Sequence, residues 1–207
     1  MTSDPPLPIL TLRTLDPDPL VVFQDWMETA RQRSLMEYPN AMVLATVDGD
    51  GFPDARIVLL KDVDERGFVF YTNRESAKGE ALARTGMAGL SFYWDHLGRQ
   101  VRVRGLVETV PDDESDAYFR SRPRGSQIGA WASEQSRVLD DRGTLEARAA
   151  SLEEKYRDRP VPRPDHWGGY VVRPRAIEFW QARDCRLHDR FLYRKGPSGW
   201  SVVRLNP

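Results

Sequence analysis

From Asp18 onward apolar residues recur at helical spacing. Leu20, Val21, Phe23, Trp26 and Met27, with Ala30 and Leu35 beyond, make one amphipathic face; Asp18 can cap such a helix and Pro19 suits its first position. The period then shortens to that of strands. Residues 42–47, 56–61 and 68–72 are runs rich in β-branched and aromatic side chains, separated by Asp48-Gly49-Asp50-Gly51 and by Asp62 to Gly67, which read as hairpin connections. A short helix from about Ser76 to Arg84 leads to two more strands, 89–94 and 100–110, joined by the turn Asp95-His96-Leu97-Gly98. Residues 112–157 are helical in character: Asp113 to Arg122, a piece after Pro123, and Asp141 to Tyr156. Strands are expected again near 167–173, 175–181, 186–194 and 199–204. Most strands precede the helices and a last group follows, so the order is α+β. Short strands with hairpin turns favour a closed antiparallel barrel with flanking helices. Residues 1–17, rich in Pro, Asp and Thr, are expected to form a mobile arm or a segment that packs late, with 18–207 as one domain.

Composition narrows the chemistry. The 207 residues suffice for one full core, and 30 basic against 31 acidic side chains give a net charge of −1, so no global field draws the chain to nucleic acid. No apolar run approaches the length of a membrane span. Met1 to Pro8 lack the basic and apolar regions of a secretory signal, and the single cysteine, Cys185, cannot form an internal disulfide; a cytoplasmic protein is expected. Cys185 is assigned no chemistry. The three histidines show no metal-ligand spacing, and neither a Gly-rich dinucleotide loop nor a Gly-X-Ser-X-Gly elbow occurs, so an enzyme here would need an organic cofactor.

Positive charge is local instead, and much of it is arginine, whose planar fork suits phosphate and carboxylate. In Arg186-Leu187-His188-Asp189-Arg190 a strand would line Arg186, His188 and Arg190 along one face, a row that wants an anion; a charged edge strand is the competing explanation. In Tyr71 to Gly79 a strand runs into a helix start, where Thr72 and Glu75 could form a capping box and Ser76 and Lys78 join free amides as a phosphate cradle. Tyr118, Arg122 and Ser126 are spaced four apart, but Pro123 breaks a continuous helix, so they are expected to converge across a kink. Arg56 and Lys61 have opposite parity on a strand and cannot share a face, whereas Gln100, Arg102 and Arg104 can.

From about Asp18 to Pro207 the chain resembles the pyridoxine (pyridoxamine) 5′-phosphate oxidase family. The resemblance is carried by Arg56-Ile57-Val58-Leu59-Leu60-Lys61, Phe70-Tyr71-Thr72-Asn73, the run Ser121 to Trp131, Glu134-Gln135-Ser136, Trp167-Gly168-Gly169, Glu178-Phe179-Trp180-Gln181 and Arg186 to Arg190, in this order. It implies an FMN-binding split β-barrel and a homodimer with FMN at the subunit interface, where Arg56 and Lys61 can serve different ligands. FMN contacts implied by position are Arg56, Ile57, Val58, Leu59, Leu60, Lys61, Tyr71, Thr72, Lys78, Gln100, Gln135, Ser136, Trp180 and Arg190. Lys61, Tyr118, Arg122 and Ser126 would hold a substrate phosphate, with Arg186 and His188 at the pyridine ring as the catalytic pair. The implied reaction oxidises pyridoxamine 5′-phosphate or pyridoxine 5′-phosphate to pyridoxal 5′-phosphate, with O2 as acceptor. The family usually reads Ser-Arg-Lys where this chain has Ser76-Ala77-Lys78, and an arginine at Arg74 is one candidate to fill that place. Two alternatives remain: a split-barrel flavin oxidase of the phenazine-pathway type acting on another aromatic substrate, and a flavin- or pyridoxal-phosphate-binding protein without turnover.

Overall fold

A computed structural model of the chain describes residues 7–207. Helix α1 (Pro19–Arg33) is capped by the Asp18 carboxylate, which accepts from Leu20 N–H. Nine antiparallel strands follow in one sheet: β1 (Ala41–Val47), β2 (Pro53–Leu59), β3 (Asp62–Asp64), β4 (Gly67–Asn73), β5 (Met87–Trp94), β6 (Arg99–Thr109), β7 (Trp167–Gln181), β8 (Asp189–Gly196) and β9 (Gly199–Arg204). Helix α2 (Ala77–Thr85) lies between β4 and β5, while α3 (Asp112–Ser121), α4 (Arg124–Ala132) and α5 (Arg142–Lys155) lie between β6 and β7. The order β2-β1-β5-β6-β7-β4-β3, with β8 and β9 branching from β7, is the α+β split barrel expected.

The branch at β7 shapes the molecule. One edge of β7 pairs with β6, and the other pairs with β4 over Trp167–Val172 and with β8 over Ala176–Gln181. A register shift between Arg104 and Gly105, opposite Pro174 to Ala176, inserts one extra residue. Such a bulge reverses which positions face the core: Tyr170 and Val172 point into the barrel before it, Ile177 and Phe179 after it. A Cβ at Gly105 would lie 2.2 Å from the Arg173 carbonyl, so the crossing needs glycine there. The break expected at Pro174 is therefore a bulge within one continuous strand, which tolerates the missing N–H.

Helix α1 presses Val22, Phe23, Trp26, Met27 and Ala30 onto the inner face of the sheet. The Phe23 ring sits 4.8 Å from Phe68 and 4.9 Å from Phe92, and Trp26 meets Phe179 edge-on at 5.2 Å. Each such aromatic contributes about 1.5–3 kcal/mol by burial.

The N-terminal segment departs from a mobile arm as far as it is described; Met1 to Pro6 lie outside the described residues. Leu10 is buried in the core and Leu7 and Leu15 pack against it. Gln181 donates to the Pro8 carbonyl at 3.3 Å and the Tyr193 hydroxyl to the Asp16 carbonyl at 2.8 Å. Apolar side chains in a proline-rich stretch without periodicity gave no sign of this docking. Burial, with Asp16 and Asp18 nearby, raises the Tyr193 pKa to about 12. The fold thus resists ionisation of this phenol, and its contribution to stability, full below the ordinary value of about 10, is lost as pH rises through about 12. Tyr193→Phe should cost about 0.5–1.5 kcal/mol at neutral pH in urea unfolding. It should also flatten the stability loss between pH 10 and 12. An unchanged alkaline limb would mean that Tyr193 is not linked to folding.

Candidate functional site

Three groups of expected site residues occupy distinct places. The first is the entry to α2. Ser76, not Thr72, is the N-cap: its hydroxyl donates to the Asn73 carbonyl at 2.7 Å and accepts from Gly79 N–H at 3.4 Å. The Thr72–Glu75 capping box does not form, because β4 runs on through Asn73 and leaves Thr72 in the strand, 3.4 Å from the Gln135 amide oxygen. Lys78 is buried; its ammonium donates to the Ser76 hydroxyl at 3.1 Å, and among the described residues no carboxylate pairs with it. Burial lowers its pKa, the Arg56 charge lowers it further, and Asp54 opposes both. Arg56 is fixed from β1, donating to the Leu44 carbonyl at 3.0 Å and the Thr46 hydroxyl at 2.8 Å, and is paired with Asp54. Two cations beside a helix N-terminus with one carboxylate between them are suited to an anion such as phosphate.

The second group is an aromatic platform. Tyr71 stacks on Tyr118 at 4.2 Å and on Trp167 at 5.5 Å, and Gly169 makes this possible, since a Cβ there would lie 2.7 Å from the Tyr71 ring. As expected from Pro123, α3 stops at Ser121 and the chain turns through extended Arg122 into α4, which carries Ser126. The Arg122 guanidinium lies over Trp167 at 4.6 Å, and its Nη1 is buried without a partner. Burial lowers its pKa. Lys61 Nζ stands 5.8 Å from the centre of the Tyr118 ring. Tyr71, Thr72, Arg122, Ser126, Gln135 and Trp167 line a cavity of about 370 Å³. Beside it, burial and Glu114 raise the Tyr71 pKa; its hydroxyl donates to Glu114, which Arg66 also holds. Lys61, Tyr118, Arg122 and Ser126 are thus brought to one place.

The third group sits at the far end of β7. Register places Gln100, Trp180 and Arg190 directly opposite one another on β6, β7 and β8, so they share a face. Arg190 donates to Glu178 at 2.8 Å and to the Asn206 carbonyl at 3.0 Å. The row Arg186, His188 and Arg190 does not form on a strand. Residues 184–186 make a 3-10 turn, Cys185 and Arg186 are left-handed (φ 54° and 61°), and β8 begins at Asp189. Two consecutive left-handed residues cannot continue a ladder, and such strain of order 1–3 kcal/mol each tends to mark working loops. Arg186 is exposed, while the His188 ring packs 4.6 Å from Trp180 and its Nδ1 accepts from Arg183 N–H at 3.2 Å.

Of the remaining expected residues, Ile57 is exposed, Val58 and Leu59 are half-buried, and Leu60 lies in the core with its N–H and C=O both bonded to Asn40. Gln135 and Ser136 form an exposed turn, Ser136 at φ 73°. Arg74 does not fill the place of Ala77: it turns to the Val110 carbonyl at 3.4 Å and Asp112 at 3.6 Å. Asp54 and Arg137, which holds the Glu75 carbonyl at 3.3 Å, were not singled out from the sequence, and Trp167 was named only within the motif Trp167-Gly168-Gly169, without a role. Trp167 alone had a signal, the two glycines after it that leave room for a stacked ring.

Comparison with known proteins places these groups in context. The profile described as pyridoxamine 5′-phosphate oxidase matches residues 29–156, and that of the pyridoxine 5′-phosphate oxidase C-terminal dimerisation region matches 167–207. The chain is 55% identical over 190 residues to a pyridoxine/pyridoxamine 5′-phosphate oxidase of Acaryochloris marina, covering 92% of this chain and 86% of the relative. It is 57% identical over 194 residues to that of Burkholderia cenocepacia, covering 92% and 90%. Among solved structures, PhzG from Burkholderia lata 383 in complex with tetrahydrophenazine-1-carboxylic acid is similar with a TM-score of 0.89 at 32% identity, over 96% of this chain and 98% of that one.

Arg122, half-buried and with its Nη1 lacking a hydrogen-bond partner, gives a prediction that needs no ligand. A cation kept there for an incoming anion does nothing for the empty fold. Arg122→Met should leave stability unchanged or raise it by about 1–2 kcal/mol in denaturant unfolding of ligand-free protein. A loss of more than about 1 kcal/mol would make Arg122 a structural residue.

Proposed function

This chain belongs to the pyridoxine/pyridoxamine 5′-phosphate oxidase family, and from that premise we propose that it oxidises pyridoxamine 5′-phosphate and pyridoxine 5′-phosphate to pyridoxal 5′-phosphate, with FMN as cofactor and O2 as the electron acceptor. Hydrogen peroxide is the second product, and ammonia is released from the amine. One observation carries the reading: outside the barrel core, where Arg99 is packed on the Trp26 ring, the fold holds cations short of anions at two separate places, Lys78 with Arg56 at α2 and Arg122 over Trp167. A phosphorylated cofactor and a phosphorylated substrate together require two.

When bound, FMN supplies the two-electron chemistry that the side chains lack. Lys78, Ser76 and Arg56 would hold its phosphate; Arg122, Lys61, Tyr118 and Ser126 would hold that of the substrate, beside the rings of Tyr71, Tyr118 and Trp167. Anchoring the substrate at its phosphate fixes where its reacting carbon lies, and positioning of this kind is the main lever left to the protein. Arg186 and His188 act at the ring. With Nδ1 accepting from Arg183 N–H, a neutral His188 would carry its proton on Nε2 and have it free to donate to the substrate.

Trp167 and Trp180 are 13 positions apart on β7, roughly 40 Å of extended strand. One chain cannot close both groups on one small ligand. A second protomer can, and the match of residues 167–207 to a dimerisation region supports a homodimer whose two sites each combine Arg122 of one protomer with Arg186, His188, Gln100, Trp180 and Arg190 of the other. A second reading, oxidation of another aromatic acid, is favoured only by the likeness to PhzG, whose ligand bears a carboxylate; Arg122 could take that group too.

Oxygen consumption by the FMN-loaded protein separates the readings. Both phosphorylated vitamers should turn over and their unphosphorylated forms only poorly. Arg122→Met should raise KM for pyridoxine 5′-phosphate roughly ten- to a hundredfold, the worth of a charge-assisted contact of about 1.5–3 kcal/mol, and barely affect unphosphorylated pyridoxine. Equal losses on both would remove Arg122 from the phosphate. The shared site makes a further demand: with pyridoxine 5′-phosphate well below the raised KM, Arg122→Met and Arg186→Leu, each strongly impaired alone, should regain about a quarter of wild-type turnover when their protomers are mixed and reassorted, because each mixed dimer keeps one intact site. No regain would place both arginines in the same protomer's site.

A further inference from the structure

The ladder between β1 and β2 sets Leu44 opposite Arg56 and Thr46 opposite Asp54, so Asp54 and Arg56 point to the same side of the sheet, toward α2 and Lys78. The two partners of this ion pair differ in freedom. Arg56 is clamped by the Leu44 carbonyl and the Thr46 hydroxyl and its side chain is only 20% exposed, whereas that of Asp54 is 54% exposed and bonded to nothing else. Lys78 is buried and tied to Ser76. The cradle therefore consists of two fixed cations and one movable anion. We propose that Asp54 is the internal counter-ion of this cradle, neutralising Arg56 while the site is empty and competing with the incoming flavin phosphate, so that it sets how tightly FMN is held. The inference rests on the FMN reading above.

The physical case is one of charge balance. Without Asp54, Arg56 and Lys78 would repel one another in a partly desolvated pocket, which is the opposition that the Lys78 pKa registers. A phosphate near two negative charges reverses the situation: Asp54 becomes a like charge beside it and must give up Arg56 and turn outward. Its exposure allows that turn, so the competition is moderate. The exposed Ala77 beside Lys78 adds no further cation to offset it.

The test is FMN titration of apo-protein by flavin fluorescence quenching in wild type, Asp54→Asn and Asp50→Asn. The last removes the same charge from the β1–β2 hairpin without touching Arg56. At about 20 mM salt Asp54→Asn should bind FMN roughly three- to tenfold more tightly than wild type, and the gap should close near about 0.5 M as screening sets in. Asp50→Asn should match wild type. Riboflavin, which lacks the phosphate, should show no gain from Asp54→Asn. Thermal melts give a second measure: Asp54→Asn apo-protein should melt no higher than wild type yet gain more on adding FMN. Equal affinities of Asp54→Asn and wild type, an equal gain in Asp50→Asn, or a gain that extends to riboflavin would overturn the proposal while leaving FMN as the cofactor. Failure of wild type to quench FMN at all would overturn the cofactor reading, and this inference with it.

Discussion

The geometry of the whole molecule depends on the hydrogen-bond ladders of β7. By pairing with β6 on one edge and exchanging β4 for β8 on the other, this strand holds two aromatic platforms at a fixed separation. The bulge at Pro174 is as important as the length. Trp167 and Trp180 are separated by an odd number of positions and in an unbroken strand would lie on opposite faces, one of them in the barrel core. The extra residue reverses the alternation, so both turn outward while Tyr170, Val172, Ile177 and Phe179 stay inside. The ligand site proposed above, which draws on both ends of β7 from two protomers, depends on this reversal of parity.

Cations held without matching anions are the other organising feature. A buried Lys or Arg normally finds a carboxylate, since an unpaired charge in a poorly hydrated place is costly. The molecule has many such pairs, among them Arg66 with Asp64 and Glu114, Arg163 with Asp112 and Asp116, and Arg183 with Asp189. Arg99 is a buried exception, lying on the Trp26 ring in the core, and at the site Lys78 and Arg122 also stand apart. One is satisfied by a hydroxyl and the other rests on an indole face. Both ease desolvation without neutralising the charge, which leaves the charge available to a phosphate.

Much of this was legible in the sequence because it is written in local periodicity. Helix α1 with its Asp18 cap, the β1–β2 hairpin, the start of α2 near Ser76 and the break at Pro123 all follow from patterns within ten residues, whereas the hairpin expected to join residues 56–61 to 68–72 does not form, because β4 pairs with the short β3 and with the distant β7 instead. What escaped depends on contacts distant in sequence or on backbone states that side-chain type does not announce. Arg186 and His188 alternate as a strand would, but Cys185 and Arg186 adopt left-handed conformations that no glycine advertises. Thr72 and Glu75 have capping-box spacing, yet pairing of β4 with β7 extends the strand through Asn73 and hands the cap to Ser76. The docking of residues 7–17 rests on Gln181 and Tyr193, both more than 160 positions away.

The same distinction between local and distant terms bears on how the site tolerates change. Tyr71, Tyr118 and Trp167 come from three elements and hold one another by stacking, so the platform persists if any one polar contact near it is lost. The cradle at α2 is different. Its two cations are immobilised from opposite sides, by β1 acting on Arg56 and by the helix cap acting on Lys78, and the only partner able to move is an exposed carboxylate. Shape is therefore built into the rigid aromatic end, whereas on the proposal above affinity at the phosphate end is set by one carboxylate, Asp54 on β2, through its pairing with Arg56. A substitution at Asp54 leaves the place of the rings undisturbed, because β2 pairs with β1 and no backbone hydrogen bond of β4 or β7 passes through it.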